Sequence, residues 1–158
     1  MLYDAVLLAA DELMRKQSGR KALILLTDGV DTGSKVSLSS AIEAAQRADT
    51  LVYSILFEDP GAYSGGRGPG GIHLPMNMPN GKKVLEQISR ETGGRLFEVS
   101  KKQTLAKVYD EIDEDLRHQY SLGYSPDRTD TAGAYHRIRL TTKQKGLTVQ
   151  TREGYYGA

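Results

Sequence analysis

The 158 residues carry 21 basic and 20 acidic side chains, a formal charge of +1, with 39% apolar and 26% charged residues; that balance fits one globular domain with a buried core and excludes a disordered chain. Cysteine is absent, which removes disulfide frameworks, thiolate zinc sites and cysteine nucleophiles and leaves the compartment open. The longest apolar run, Ala5 to Ala10, is far below the ~20 residues of a membrane span, and Met1-Leu2-Tyr3-Asp4 lacks the basic start of an export signal.

Leu2, Ala5, Val6, Ala9, Ala10, Leu13 and Met14 follow helical spacing, so residues 2–17 are expected to form one amphipathic helix ending near Gly19. Leu2 and Val6 are core-type residues with no N-cap upstream, which reads as a chain cut from a longer one. Ala22-Leu23-Ile24-Leu25-Leu26 is continuously apolar, the mark of a strand covered on both faces in a parallel sheet, and it stops at Thr27-Asp28-Gly29. Ser37 caps a helix with Leu38, Ala41, Ile42, Ala45 and Ala48 on one face, and Leu51 to Phe57 returns as a second buried strand. Together these make a βαβ unit with a right-handed crossover.

Residues 59–82 hold seven of the 17 glycines and four of the five prolines, the composition of a long mobile loop, with Met76 and Met78 placed to dock on a surface. Asn80 or Gly81 then opens a third helix with Val84, Leu85 and Ile88 inward, closed by a left-handed cap at Thr92-Gly93-Gly94. Arg95 to Val99 is a third strand. Ser100 and Gln103 form a capping box for a fourth helix, with Leu105, Val108, Tyr109, Ile112 and Leu116 as its buried stripe and the acids from Asp110 to Asp115 in water. Beyond it the period becomes two, through Tyr120, Leu122 and Tyr124, then Ile138, Leu140 and Thr142, then Leu147, Val149 and Thr151 after a turn at Gln144 to Gly146. The expected organisation is an α/β body, residues 1–117, carrying an antiparallel β extension, residues 118–158.

Asp28 stands at the carboxyl end of a buried parallel strand, where open α/β sheets bind ligands and where an aspartate can hold Mg²⁺. Asp-Gly is equally ordinary turn chemistry, so these residues alone leave both readings open. Leu2-Tyr3-Asp4-Ala5-Val6, the run Leu25-Leu26-Thr27-Asp28-Gly29-Val30-Asp31 and Thr92-Gly93-Gly94-Arg95-Leu96-Phe97 together resemble the second half of a von Willebrand factor type A domain. Gln119-Tyr120-Ser121-Leu122-Gly123-Tyr124-Ser125-Pro126 and Arg152-Glu153-Gly154-Tyr155-Tyr156 are similar to the ending of the acidobacterial group of von Willebrand factor A related proteins.

The resemblance implies a Rossmann-like three-layer αβα fold with a metal-ion-dependent adhesion site at the top of a mainly parallel sheet. In that family a divalent cation is held by an Asp-x-Ser-x-Ser loop, a threonine and an aspartate, and it keeps one position for an acidic residue of a protein partner. Asp28 matches the aspartate. The threonine position falls just before Leu2, where Met1 stands, and no Asp-x-Ser-x-Ser occurs in the chain. Four of the family's five metal-contacting side chains are therefore missing, and weak Mg²⁺ binding or none is expected. The strand that normally pairs beside Ala22 to Leu26 is missing too, so that edge should be bare and a route to self-association.

The expected function is a non-catalytic interaction module that presents Thr27, Asp28, Gly29 and Asp31 to an unidentified protein partner. Its alternatives are a small Mg²⁺-dependent hydrolase or phosphotransfer enzyme using Asp28, and an inert structural fragment. The Gly65 to Gly71 stretch lacks the Gly-Lys-Ser/Thr of a phosphate loop. Arg137, Arg139, Lys143, Lys145 and Arg152 read as a solvated hairpin face, so no nucleic-acid partner is expected. His73, His118 and His136 have no ligand spacing, and Tyr120, Tyr124, Tyr155 and Tyr156 suit cross-strand packing.

Overall fold

The computed structural model describes residues 1–57, 80–125 and 133–157. The chain opens with α1 (Leu2–Leu8), which continues through a π-helical turn (Ala9–Leu13) and a 3-10 turn (Met14–Lys16). Next come β1 (Lys21–Thr27), α2 (Leu38–Arg47), β2 (Thr50–Leu56), α3 (Gly81–Thr92), β3 (Leu96–Glu98) and α4 (Leu105–Arg117). Two short strands follow, β4 (Tyr135–Arg137) and β5 (Gly154–Tyr156). The helix expected over 2–17 is thus helical to Lys16 but not uniformly α. The wider π turn leaves Leu13 exposed while Ala10 and Met14 keep their contact with the core.

β1, β2 and β3 form a parallel sheet in that order, with Lys21 opposite Thr50 through Thr27 opposite Leu56, and Ser54 opposite Leu96 through Leu56 opposite Glu98. β2 is central and buried on both faces, which is why its sequence shows no alternation. On one face Leu23, Leu25 and Val52 lie under residues of α1, α2 and α3, among them Leu2, Leu7, Ile42, Ala45, Val84 and Ile88. On the other, Tyr53, Ile55 and Phe97 lie under Val108 and Ile112 of α4. The result is a mixed α/β arrangement with helices on both faces of a three-stranded parallel sheet and a separate two-stranded antiparallel ribbon. Among the described residues no helix is long and apolar enough to cross a membrane.

Side chains of α3 complete the hydrogen bonding of the central strand. The Val52 amide donates to Thr92 Oγ1 at 3.1 Å, whose own hydroxyl donates to the Ile88 carbonyl at 2.8 Å. The buried Ser89 and Ser54 hydroxyls meet at 2.8 Å. These bonds matter because an unpaired amide inside the sheet costs about 1–3 kcal/mol. Gly94 follows with no room for a side chain, since a Cβ there would lie 2.0 Å from the Val52 carbonyl oxygen.

The caps of α2 and α3 are those expected: Ser37 accepts from the Ser40 amide, Asn80 accepts from the Lys83 amide, and Gly93 takes the left-handed conformation at φ 90°. For α4 the expected cap is wrong. Thr104 is its N-cap, accepting from the Lys107 amide, while Ser100 closes a separate turn with Gln103. The Gln103 side chain does not reach back to a cap; it donates to Glu111 at 2.6 Å. Tyr109, assigned to the buried stripe of α4, is exposed.

The three strands expected in the tail are also corrected. Tyr120, Leu122 and Tyr124 alternate with small residues but lie in irregular backbone, with Tyr120 94% exposed, and neither 138–142 nor 147–151 is a strand. Alternation makes a strand only where a partner strand pairs with it, and among the described residues these segments join no ladder, although Tyr124 meets Tyr155 edge-on and Ile138 and Val149 are half-buried. The actual ribbon pairs Tyr135 with Tyr156 and Arg137 with Gly154. It is fastened to the body through Arg90–Glu153 at 2.8 Å, Gln150 on the Gly93 carbonyl at 3.0 Å, and the Arg47 guanidinium stacked 4.1 Å over the Tyr156 ring. The glycine-rich segment expected as a loop, with Met76 and Met78, lies almost entirely outside the described residues.

Candidate functional site

The carboxyl end of β1 is shaped by its own side chains. The Thr27 carbonyl accepts from the Phe57 amide at 3.1 Å, the last ladder bond to β2. The chain then turns sharply: the Gly29 amide donates to Thr27 Oγ1 at 3.2 Å and the Val30 amide donates to Asp28 Oδ1 at 3.0 Å, an Asx turn. Gly29 adopts φ 77° and is buried against Gly81, where a Cβ would meet the Gly81 carbonyl oxygen at 2.3 Å. This close approach seats the turn on the first residue of α3.

Asp31 ties the same loop to α1. Its Oδ1 accepts from the Leu2 amide at 2.5 Å, the Tyr3 amide at 3.3 Å and the Ser34 hydroxyl at 2.6 Å, and its Oδ2 accepts from the Ser34 amide at 3.2 Å. The Met1 amino group lies 2.8 Å from it, and the side chain is only 9% exposed. Burial pushes the carboxyl pKa up, but the hydrogen bonds from the Met1 amino group, Ser34 and the Tyr3 amide outweigh it and hold the group well below the usual carboxylate range. Asp4 on α1 returns the contact, accepting from the Lys35 amide at 2.9 Å and the Val36 amide at 3.1 Å. Helix and loop therefore cap each other across about thirty residues of sequence.

Of the four residues singled out from sequence, Thr27, Asp28 and Gly29 form one continuous turn, while the Asp31 carboxylate faces the start of α1. Asp4 and Ser34 escape sequence reasoning, since nothing local signals a cap whose partner is so distant in the chain. The donor set does not fit a resident Mg²⁺. A hard octahedral ion needs several oxygens free to converge, yet Asp28 Oδ1 and both Asp31 oxygens already accept backbone or hydroxyl donors. No group of three His, Asp or Glu comes together among the described residues. Millimolar Mg²⁺ or Mn²⁺ is accordingly expected to leave the melting temperature unchanged, in wild type and in Asp28→Ala alike. A rise of more than ~2 °C that Asp28→Ala abolishes would show a working cation site.

A second feature adjoins this turn. Among the described residues β1 pairs only with β2, so its other side is a sheet edge. Because the Thr27 carbonyl faces β2, the N–H and C=O groups of Lys21, Leu23 and Leu25 face β2 as well. Those of Ala22, Ile24 and Leu26 then point outward. The side chains of these same three residues lie on the α4 side of the sheet, where α4 covers Tyr53 and Ile55 but leaves Ile24 37% and Leu26 50% exposed. Phe57, just past β2, is 54% exposed.

A groove of about 340 Å³ lies between α2, α3 and the ribbon, lined in part by Glu43, Glu91, Arg137, Glu153 and Tyr156. Its three carboxylates are engaged at 2.8 Å each, Glu43 and Glu91 within their own helices by Arg47 and Gln87, and Glu153 by Arg90, the one of the three that crosses from α3 to the ribbon.

No family model and no curated protein matches the chain. Among solved structures it is similar to an uncharacterized membrane spanning protein from Vibrio fischeri, at 22% identity and a TM-score of 0.42, over 68% of this chain and 52% of that one. The chain thus spans about half the length of that neighbour.

Proposed function

We propose that the chain is a non-catalytic protein-interaction module built on a partial von Willebrand factor A fold with an incomplete metal-ion-dependent adhesion site. Its contact surface is the turn Thr27-Asp28-Gly29 together with the adjoining outer flank of β1. The observation that carries this reading is the flank itself: three outward backbone donors and three outward acceptors at Ala22, Ile24 and Leu26, beside the exposed side chains of Ile24 and Leu26. A strand in that condition is a template for another strand, which gains main-chain hydrogen bonds and buries apolar area at once. Within β1, residues 22–26 contain neither a charge nor a proline to blunt it, the one charge of the strand being Lys21 at its start.

The partner is a protein that supplies an extended segment, and self-association is the simplest case. Hydrogen exchange at single-residue level in dilute solution tests the reading. The outward amides of Ala22, Ile24 and Leu26 should exchange fast, while those of Leu23, Leu25 and Thr27, bonded to β2, should be protected. Equal protection of both sets would mean that the edge is already closed and would overturn the reading.

A further inference from the structure

We infer that the loop from Arg139 to Thr148 docks on the surface of an anionic lipid bilayer, with its cations among the headgroups and its two leucines at the boundary with the acyl chains. No residue of β1 enters the inference, which stands apart from the strand-edge reading above.

The loop leaves and rejoins the antiparallel ribbon at one place. The Ile138 amide donates to the Glu153 carbonyl at 2.8 Å, so the two ends are held together. Gln150 on the Gly93 carbonyl and Arg152 beside Asp49 fasten the returning arm to the body. Between these anchors every residue from Arg139 to Thr148 is exposed and outside any helix or strand, and Gly146 supplies the left-handed conformation of the turn at φ 83°.

This stretch holds Arg139, Lys143 and Lys145 and no acid, and Arg137 is exposed beside its base. None of the four cations forms a salt bridge among the described residues. As one face of a hairpin they would serve to blunt a sheet edge. Residues 138–142 and 147–151 are not strands, however, so there is no edge here for them to protect. The small net charge of the chain does not cancel the cluster: at about 0.1 M salt the Debye length is ~10 Å, and a surface in contact with the loop feels the local cations.

Leu140 is 43% and Leu147 57% exposed within the same stretch. Aliphatic side chains interspersed with free cations suit a bilayer, where charge draws the loop to anionic headgroups and each apolar group gains by leaving water. A nucleic-acid strand would instead need aromatic platforms for its bases, and the loop has none. The nearby rings belong to the ribbon and pack on one another, with centroids 5.1 Å apart for Tyr135 and Tyr156 and for His136 and Tyr155.

Co-sedimentation of the full chain with vesicles is the test. Vesicles of phosphatidylcholine carrying about 30% phosphatidylserine should pellet the protein, and vesicles of phosphatidylcholine alone should not. Raising the salt from about 0.1 M to 1 M shortens the Debye length to ~3 Å and should release it. Lys143→Gln combined with Lys145→Gln should weaken binding about 25-fold, roughly fivefold for each cation. Lys101→Gln combined with Lys102→Gln removes the same charge from two exposed residues outside the loop and should weaken it less than about threefold. Leu147→Ser leaves the charge unaltered and should weaken it about fivefold. All these positions are exposed, and thermal melts check that the variants are folded.

Wild type that stays in the supernatant with phosphatidylserine vesicles overturns the inference. So do equal losses from the two lysine pairs, or a Leu147→Ser variant that binds as tightly as wild type. Binding of a fluorescent oligothymidylate in place of vesicles, lost on substitution of Lys143 and Lys145, would assign the loop to nucleic acid and overturn it too. None of these results bears on the exchange rates at β1, so the strand-edge reading stands or falls separately.

Discussion

Gly29→Ala is expected to lower the melting temperature by roughly 10 °C or more. Two costs add. Gly29 sits at φ 77°, where an L-residue carries about 1–2 kcal/mol of backbone strain. The new Cβ would also stand 2.3 Å from the Gly81 carbonyl oxygen, 2.6 Å from its carbon and 2.8 Å from Leu85 Cγ. Two of these atoms are backbone at the start of α3 and cannot step aside, so the loop must leave the helix, for a total of about 3–5 kcal/mol. Gly33→Ala isolates the first cost. Gly33 has φ 86°, but a Cβ there would meet nothing within 4 Å, so that variant should lose only about 1–2 kcal/mol. Thermal melts giving the two variants equal losses would show that the turn is not seated on Gly81 at all.

The sheet is legible in the sequence because its two long strands are apolar runs, but only β2 is buried on both faces as expected; β1 leaves Ile24 and Leu26 exposed on the α4 side. Residues 22–26 are apolar throughout and residues 51–57 are apolar but for Ser54, neither alternates, and both runs fall on parallel strands in the structure, the second ending at Leu56. The tail misleads for the converse reason. Periodicity reports which side chains could share a face, and Tyr120, Leu122 and Tyr124 share one, yet Tyr120 and Leu122 stay exposed and only Tyr124 meets a described neighbour, Tyr155. The ribbon forms instead where long-range partners exist, at Tyr135 against Tyr156 and Glu153 against Arg90, pairings that no local window contains.

At the candidate site the division is finer. Asp28 and Asp31 both stand out as acids following a strand, and spacing cannot separate them. Their hydrogen bonds do: Asp28 accepts within its own turn from the Val30 amide, whereas Asp31 reaches the amides of Leu2 and Tyr3, 29 and 28 residues away. Asp4 is visible in the sequence only as part of a motif, though its carboxylate holds the amides of Lys35 and Val36.

That division predicts where acid will weaken the fold. Asp31→Ala should cost about 3 kcal/mol, because it removes the acceptor of the Leu2 and Tyr3 amides at the start of α1 and of both Ser34 donors. Asp31→Asn keeps an oxygen for the Leu2 amide and loses the charge, so it should cost less. The pH dependence separates charge from shape. The carboxyl pKa is depressed in the folded protein against ~3.9 in the unfolded chain, so the unfolded state binds the proton more readily. The charge-linked stability is therefore fully present above about pH 5 and disappears as the pH falls towards the depressed folded value. Wild type and Asp31→Asn should differ most near neutrality and converge between about pH 5 and pH 2. Glu12 beside Lys16 and Glu111 beside Gln103 and Arg95 also have lowered pKa values, but they remain in both proteins and cancel in the comparison. Denaturant unfolding of the two proteins across that range reads the difference directly. A gap that stays constant with pH would mean that Asp31 supports α1 through its shape and not through its charge.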